Sequence, residues 1–304
     1  MPGRNSLAGV TVVLLMLAAC SSQPSFDADT WVRSVEEWRT ARQDRLREPD
    51  SWLTLVGLYW LEKGPNTFGS GTDNDIVFPR SAPSRLGVIH YDDGGFRLAS
   101  APGAGMTVDG RSVAAAALST DHDDANTIMQ WGSLEWYLIE RQDQVGLRLK
   151  DSLAAARLAF EGLDYYEIDA SWRVEARFEP YDPPRTIPVP TILGTVSDSP
   201  SPGEVVFERD GTEYRLQAVA DEDDNKYFLI FADETNGTET YGGGRFLYAD
   251  AADESGRVVV DFNKAYSPPC VFSPYATCPL PPPGNSIALA IEAGEKMYEE
   301  GVRH

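Results

Sequence analysis

From Trp52 onward the chain is cut into short apolar or alternating runs by clusters of Gly, Pro, Asn and Asp, and this punctuation restricts it to one broad architecture. A strand points successive side chains to opposite faces, so short alternating runs divided by turn residues read as consecutive antiparallel strands. The first series is 53–61, 76–78, 87–91, 96–99, 106–108, 134–141 and 145–150, with a hairpin signal at Asp109-Gly110. A second series follows Trp172, at 173–178, 186–193, 203–208, 212–219, 226–232, 245–248 and 256–262, with turn signals at Asp210-Gly211 and Asn236-Gly237. The expected fold is therefore mainly β: an antiparallel β-sandwich over 52–151, then a second antiparallel β domain over 172–304. The connector between them carries the aromatic cluster Tyr165, Tyr166 and Trp172. Residues 29–48 are expected to form an amphipathic helix, because Trp31, Val35 and Trp38 recur at i, i+4, i+7 and Pro49 stops the run. Residues 290–300 are a second helix candidate.

The N-terminus reads as an address. Behind Arg4, the apolar stretch 7–19 is too short for a permanent membrane-spanning helix and ends in Leu17-Ala18-Ala19-Cys20. Charge, apolar core, small residues and cysteine in this order resemble a bacterial lipoprotein signal with its lipobox. The resemblance implies a signal peptide over 1–19, lipidation of Cys20 and a tether over 20–28, with the membrane as a partner through the acyl chains. Ser21 after the cysteine favours the outer membrane of the cell envelope.

Charge narrows the partners. With 47 acidic against 26 basic residues the formal net charge is −21, so nucleic acid is repelled at long range and is excluded as a partner. The hydrophobic share of 42% suffices for a substantial core. Cys270 and Cys278 lie in a proline-rich loop, and an oxidising compartment would let them form a disulfide; free buried thiols are the other reading. Three histidines, His90, His122 and His304, give little support to a metal site or a Ser-His-Asp triad, and no cofactor is implied. The run Asp221-Glu222-Asp223-Asp224-Asn225 lacks the spacing of a calcium loop and reads as a solvated hairpin tip.

Within the first β series, Lys63–Gly69, 74–78, 94–98 and 108–113 resemble the cadence of a forkhead-associated domain. That resemblance implies a sandwich scaffold. The residues that would read phosphothreonine are replaced, since Gly69-Ser70 stands for Gly-Arg and Ser84-Arg85-Leu86-Gly87 for Ser-x-x-His. Without the arginine fork, phosphate loses its bidentate partner.

The densest constellation lies between 231 and 296: Thr240-Tyr241-Gly242-Gly243-Gly244-Arg245, Asp261-Phe262-Asn263-Lys264-Ala265-Tyr266, the loop from Ser267 to Asn285, and Ala293-Gly294-Glu295-Lys296. Together with Ser51–Leu61, these residues resemble the family called domain of unknown function 1684, which implies no reaction. On a strand, Asp261 and Asn263 would share one face and Phe262 and Lys264 the other. Arg245 has three partners in prospect: Asp261, Asp233 or an anionic ligand. The ligand-binding candidates are Arg245, Tyr241, Asn263, Lys264, Tyr266 and Asn285; Asp261 and Glu295 are the candidate acid and base. Three functional readings follow: a non-catalytic module binding a small molecule, glycan or protein; a hydrolase using that carboxylate pair; or a purely structural envelope protein. For Asp261 and Asn263 the duller account is that they fasten the loop backbone.

Overall fold

The computed structural model describes residues 26–220, 225–299 and 301. The lipobox with Cys20, the signal segment 1–19, most of the tether, Asp221–Asp224 and His304 lie outside the described residues. Among the described residues no helix is long and apolar enough to cross a membrane.

Helix α1 (Ala28–Arg47) starts where Asp27 accepts from the Asp29 and Thr30 backbone N–H groups, and it stops at Glu48, whose extended backbone is what a following proline requires. Its buried apolar stripe is thin: Trp31, Val35 and Leu46. Trp38, expected in that stripe, is only partly buried and rests against Tyr266.

The first β series forms a sandwich. One sheet has the order β1-β11-β10-β9-β6-β7, built from β1 (Leu55–Trp60), β6 (Thr107–Val108), β7 (Arg111–Ser112), β9 (Met129–Trp131), β10 (Leu134–Arg141) and β11 (Gln144–Asp151). The other has the order β3-β2-β4-β5-β8, from β2 (Gly64–Gly69), β3 (Ile76–Val77), β4 (Gly87–Asp92), β5 (Gly95–Ser100) and β8 (Ala115–Leu118). All named pairs are antiparallel except β2 with β3. Alternation places Val145, Leu147 and Leu149 of β11 inward with Phe68, Ile89, Leu98 and Trp136, so the sandwich has its own apolar core.

The second series is a six-stranded antiparallel meander. It runs through β12 (Arg173–Pro190), β13 (Val196–Arg209), β14 (Thr212–Ala220), β15 (Lys226–Phe231), β16 (Arg245–Asp250) and β17 (Arg257–Asp261). Strand β17 pairs back onto β12 and returns alongside β16, so the sheet curls toward closure around Phe207, Phe231, Val260 and Phe262. Two expected strands, 173–178 and 186–193, are one strand: β12 is continuous through a bulge between Pro180 and Arg185. The outer halves of β12 and β13 project as an arm whose Ile187 and Val189 enter a third apolar cluster with Leu46, Leu55, Phe246 and Phe272. That cluster joins helix, sandwich and meander. The helix expected at 290–300 is not formed: described residues there are irregular, with Gly294 at φ +80° and the backbone bonded to Asp164, Tyr166 and Ala265 instead of to itself.

Candidate functional site

Of the motif residues, Tyr241, Arg245, Asn263, Asn285 and Glu295 are buried, and Asp261, Lys264 and Tyr266 are partly buried. Strand β16 opens with Arg245, which has no exposed area. Its Nη2 donates to Asp233 Oδ2 at 2.6 Å and to the Ile291 carbonyl at 2.9 Å, and its Nη1 to the Ala293 carbonyl at 2.5 Å. Asp233 in turn accepts from the Thr235 hydroxyl and the Thr235 and Ile291 N–H groups. Of the three partners in prospect, Arg245 therefore takes Asp233, and the pair ties the tail to the sheet. Gly244 before it has φ +87°, and a Cβ there would lie 2.6 Å from Pro281 and 2.7 Å from the Phe231 carbonyl, so the last of the three glycines marks a close approach.

Asn285, also without exposed area, replaces a stretch of sheet ladder. Among the described residues, strands β14 and β15 pair at Val219–Phe228 and Ala220–Tyr227. Beyond that point the Asn285 amide accepts from the Gln217 N–H at 2.8 Å and donates to the Gln217 and Ile230 carbonyls at 3.0 and 2.8 Å. A side-chain amide thus satisfies backbone groups that the splayed strands leave open.

Asp261 and Asn263 converge, but not by strand alternation. Strand β17 ends at Asp261, and Phe262–Lys264 form a 3₁₀ turn that Asp261 caps by accepting from the Asn263 N–H. Asp261 also accepts from Asn263 Nδ2 at 3.0 Å and from Trp31 Nε1 at 2.7 Å. Asn263 exchanges two bonds of 2.9 Å with the Asp169 backbone, which docks the connector. Lys264 is partly exposed. Tyr266 lies with its ring under the Arg42 guanidinium at 4.7 Å. Tyr241 is buried, which pushes its hydroxyl pKa up to about 12.

Glu295 is sealed between the tail and α1. It accepts from Arg42 Nε and from the Ser267 N–H, each at 3.2 Å. Tyr165 sits directly opposite it across an antiparallel bridge, and burial first, then the Glu295 charge, hold the Tyr165 hydroxyl well above its ordinary pKa. Asp261 meets Trp31 and Glu295 meets Arg42, eleven residues further along α1.

Cys270 and Cys278 are joined in a disulfide. The loop they staple packs on the rest of the molecule: Ser273 donates to the Leu55 carbonyl, Thr277 accepts from Arg141 and Arg148, and Leu280 donates to the Pro190 carbonyl. A cavity of about 410 Å³ opens nearby between Gln43, Glu161–Asp164 and Met297–Glu299, and none of the candidate residues lines it. Among the described residues no cluster of three or more His, Cys, Asp or Glu is placed to hold a metal ion. Sequence reasoning missed the helix's share of this seam: Trp31, Arg39 and Arg42 reach residues more than a hundred positions away, and nothing local in the sequence marks those pairings.

Residues 158–296 match the family described as "Protein of unknown function (DUF1684)". A search among curated proteins returned no match. Among solved structures, the chain is similar to an uncharacterized protein from Haloarcula marismortui determined by solution NMR, at 32% identity over 48% of this chain and 81% of that one, with a TM-score of 0.40.

Proposed function

We propose that this chain, whose residues 158–296 match DUF1684, is a non-catalytic module of the bacterial cell envelope, anchored through lipid on Cys20 and presenting a rigid surface to a protein, glycan or small-molecule partner. What supports the non-catalytic part of this reading is the inward bonding of the motif: Arg245, Asn263, Asn285 and Glu295 have no exposed area, and the bonds they make run to other protein groups. Their arrangement supports a role as the fastening of tail, connector and sheet. Membrane attachment rests on the lipobox at Leu17–Cys20, and the outer membrane on Ser21. The sandwich is read as a forkhead-associated-like scaffold without phosphothreonine recognition. In support, the Ser70 hydroxyl bonds the Ala82 carbonyl and Arg85 is paired with Asp73.

The test compares the chain beginning after Cys20 with its Glu295→Gln variant against a panel of ester, peptide and glycoside substrates, alongside thermal unfolding. The expected outcome is no turnover by either protein and a lower midpoint for the variant. Turnover by the native chain that Glu295→Gln abolishes while the protein stays folded would replace this reading with the hydrolase.

A further inference from the structure

Strand β11 turns Val145, Leu147 and Leu149 into the sandwich core, so alternation turns Arg148 and Lys150 to the opposite face of the sheet. An arginine on such a face is ordinarily solvated. Here the stapled loop covers it, and Arg148 keeps only 4% of its surface. Its Nη2 donates to the Thr277 hydroxyl at 3.1 Å, its Nε is buried without a partner, and no carboxylate among the described residues pairs with it. The other buried arginine, Arg245, has Asp233. The Trp52 and Tyr137 ring centres lie 5.4 and 5.9 Å from the Arg148 guanidinium. They offset part of the cost of burying the charge, but a ring face is a weak acceptor for its N–H groups.

Donors also outnumber acceptors around it. Arg141 Nε donates to the same Thr277 oxygen at 3.1 Å, and the Thr277 O–H donates to no described group. Lys150 Nζ stands 5.8 and 5.6 Å from the same two rings. The carboxylates on neighbouring residues are engaged: Asp121 by Arg141 at 2.8 Å, Glu140 by Thr120 at 2.9 Å, Asp50 by Arg45, and Glu135, opposite Lys150 across the ladder, by Gln130 at 3.1 Å. Trp52, Tyr137, Lys150 and Thr277 are each partly exposed, so this nest of donors lies one side chain beneath the surface.

We propose that Arg148, Lys150 and the Thr277 hydroxyl form a binding site for a small oxyanion, a phosphate or carboxylate group, at the junction of the sandwich and the Cys270–Cys278 loop. The anion supplies the acceptor and the negative charge that the fold withholds from Arg148. The net charge of −21 repels anions at long range, so binding rests on these short-range donors. The site uses none of Arg245, Asn263, Asn285 and Glu295, and its failure would leave the reading of those residues untouched.

The test is titration calorimetry of inorganic phosphate, and separately of acetate, into the native chain at constant ionic strength. Saturable binding of one anion per chain is expected, the tighter of the two identifying the ligand group. Arg148→Met, which keeps an unbranched stem without the charge, is expected to bind at least tenfold more weakly. If that variant does not fold, Lys150→Gln at the partly exposed rim decides, with an expected loss of roughly threefold or more. The proposal is overturned if the native chain binds neither anion saturably, or if the loss in the deciding variant is smaller than this.

Discussion

Arg245 is the clearest case of a polar side chain spent on the interior. A fully buried ion pair is a weak net stabiliser when intact, because desolvation cancels much of the Coulomb gain, but losing one partner strands a charge. Here the guanidinium fork also holds two tail carbonyls that have no strand to pair with. Arg245→Ala is therefore expected to destabilise by about 3–5 kcal/mol in urea unfolding. Arg245→Lys is expected to recover only part of that, since an ammonium cannot span three acceptors set by a planar fork. The sequence already showed that this arginine, the aspartates and Asn285 belong to a constellation. It did not show which way they face, because an arginine after three glycines suits a surface cleft and a buried clamp equally well.

At the scale of elements, turns and caps were more legible than strand ends. Asp109-Gly110 and Asp210-Gly211 both adopt positive φ and join adjacent strands, as dipeptides of this kind demand. The end of β17 was misjudged because a short polar residue can cap as readily as alternate: Asp261 and Asn263 bond each other only once the strand has stopped. The turn between β16 and β17 offers a pH test. Asp253 accepts from the Ser255 hydroxyl at 2.6 Å and from the Ser255 and Arg257 N–H groups at 2.9 and 3.1 Å, and these bonds, the hydroxyl foremost, draw its pKa down to about 2. The folded-state pKa lies below the ordinary value of 3.8, so the turn's contribution is full above about pH 4 and fades as pH falls toward 2. Protection of the Ser255 and Arg257 amides, relative to intrinsic exchange at the same pH, is expected to fall over that window, and Asp253→Asn to remove that pH dependence.

For the whole molecule, charge sets the terms. A formal charge of −21 on one chain is self-repulsive, and the ion pairs that relieve it are mostly exposed, such as the Arg177, Arg215, Glu179 and Glu213 cluster. Raising sodium chloride from about 0.05 to 0.5 M is expected to raise the unfolding midpoint by roughly 3–6 °C, with potassium chloride equivalent; a flat or falling midpoint would show that repulsion does not limit stability. Sequence alone determined the mainly β, antiparallel class, the starting helix, the staple candidates Cys270 and Cys278, and the motif residues, because alternation, turn dipeptides and caps are local properties. Only the tertiary structure decided that α1 docks on the meander, that Asp261 bonds its Trp31 and Glu295 its Arg42, and that Arg245 and Asn285 face inward. Those outcomes depend on contacts across tens to hundreds of residues, where burial and the need to satisfy every backbone group, and no local pattern, choose the partner.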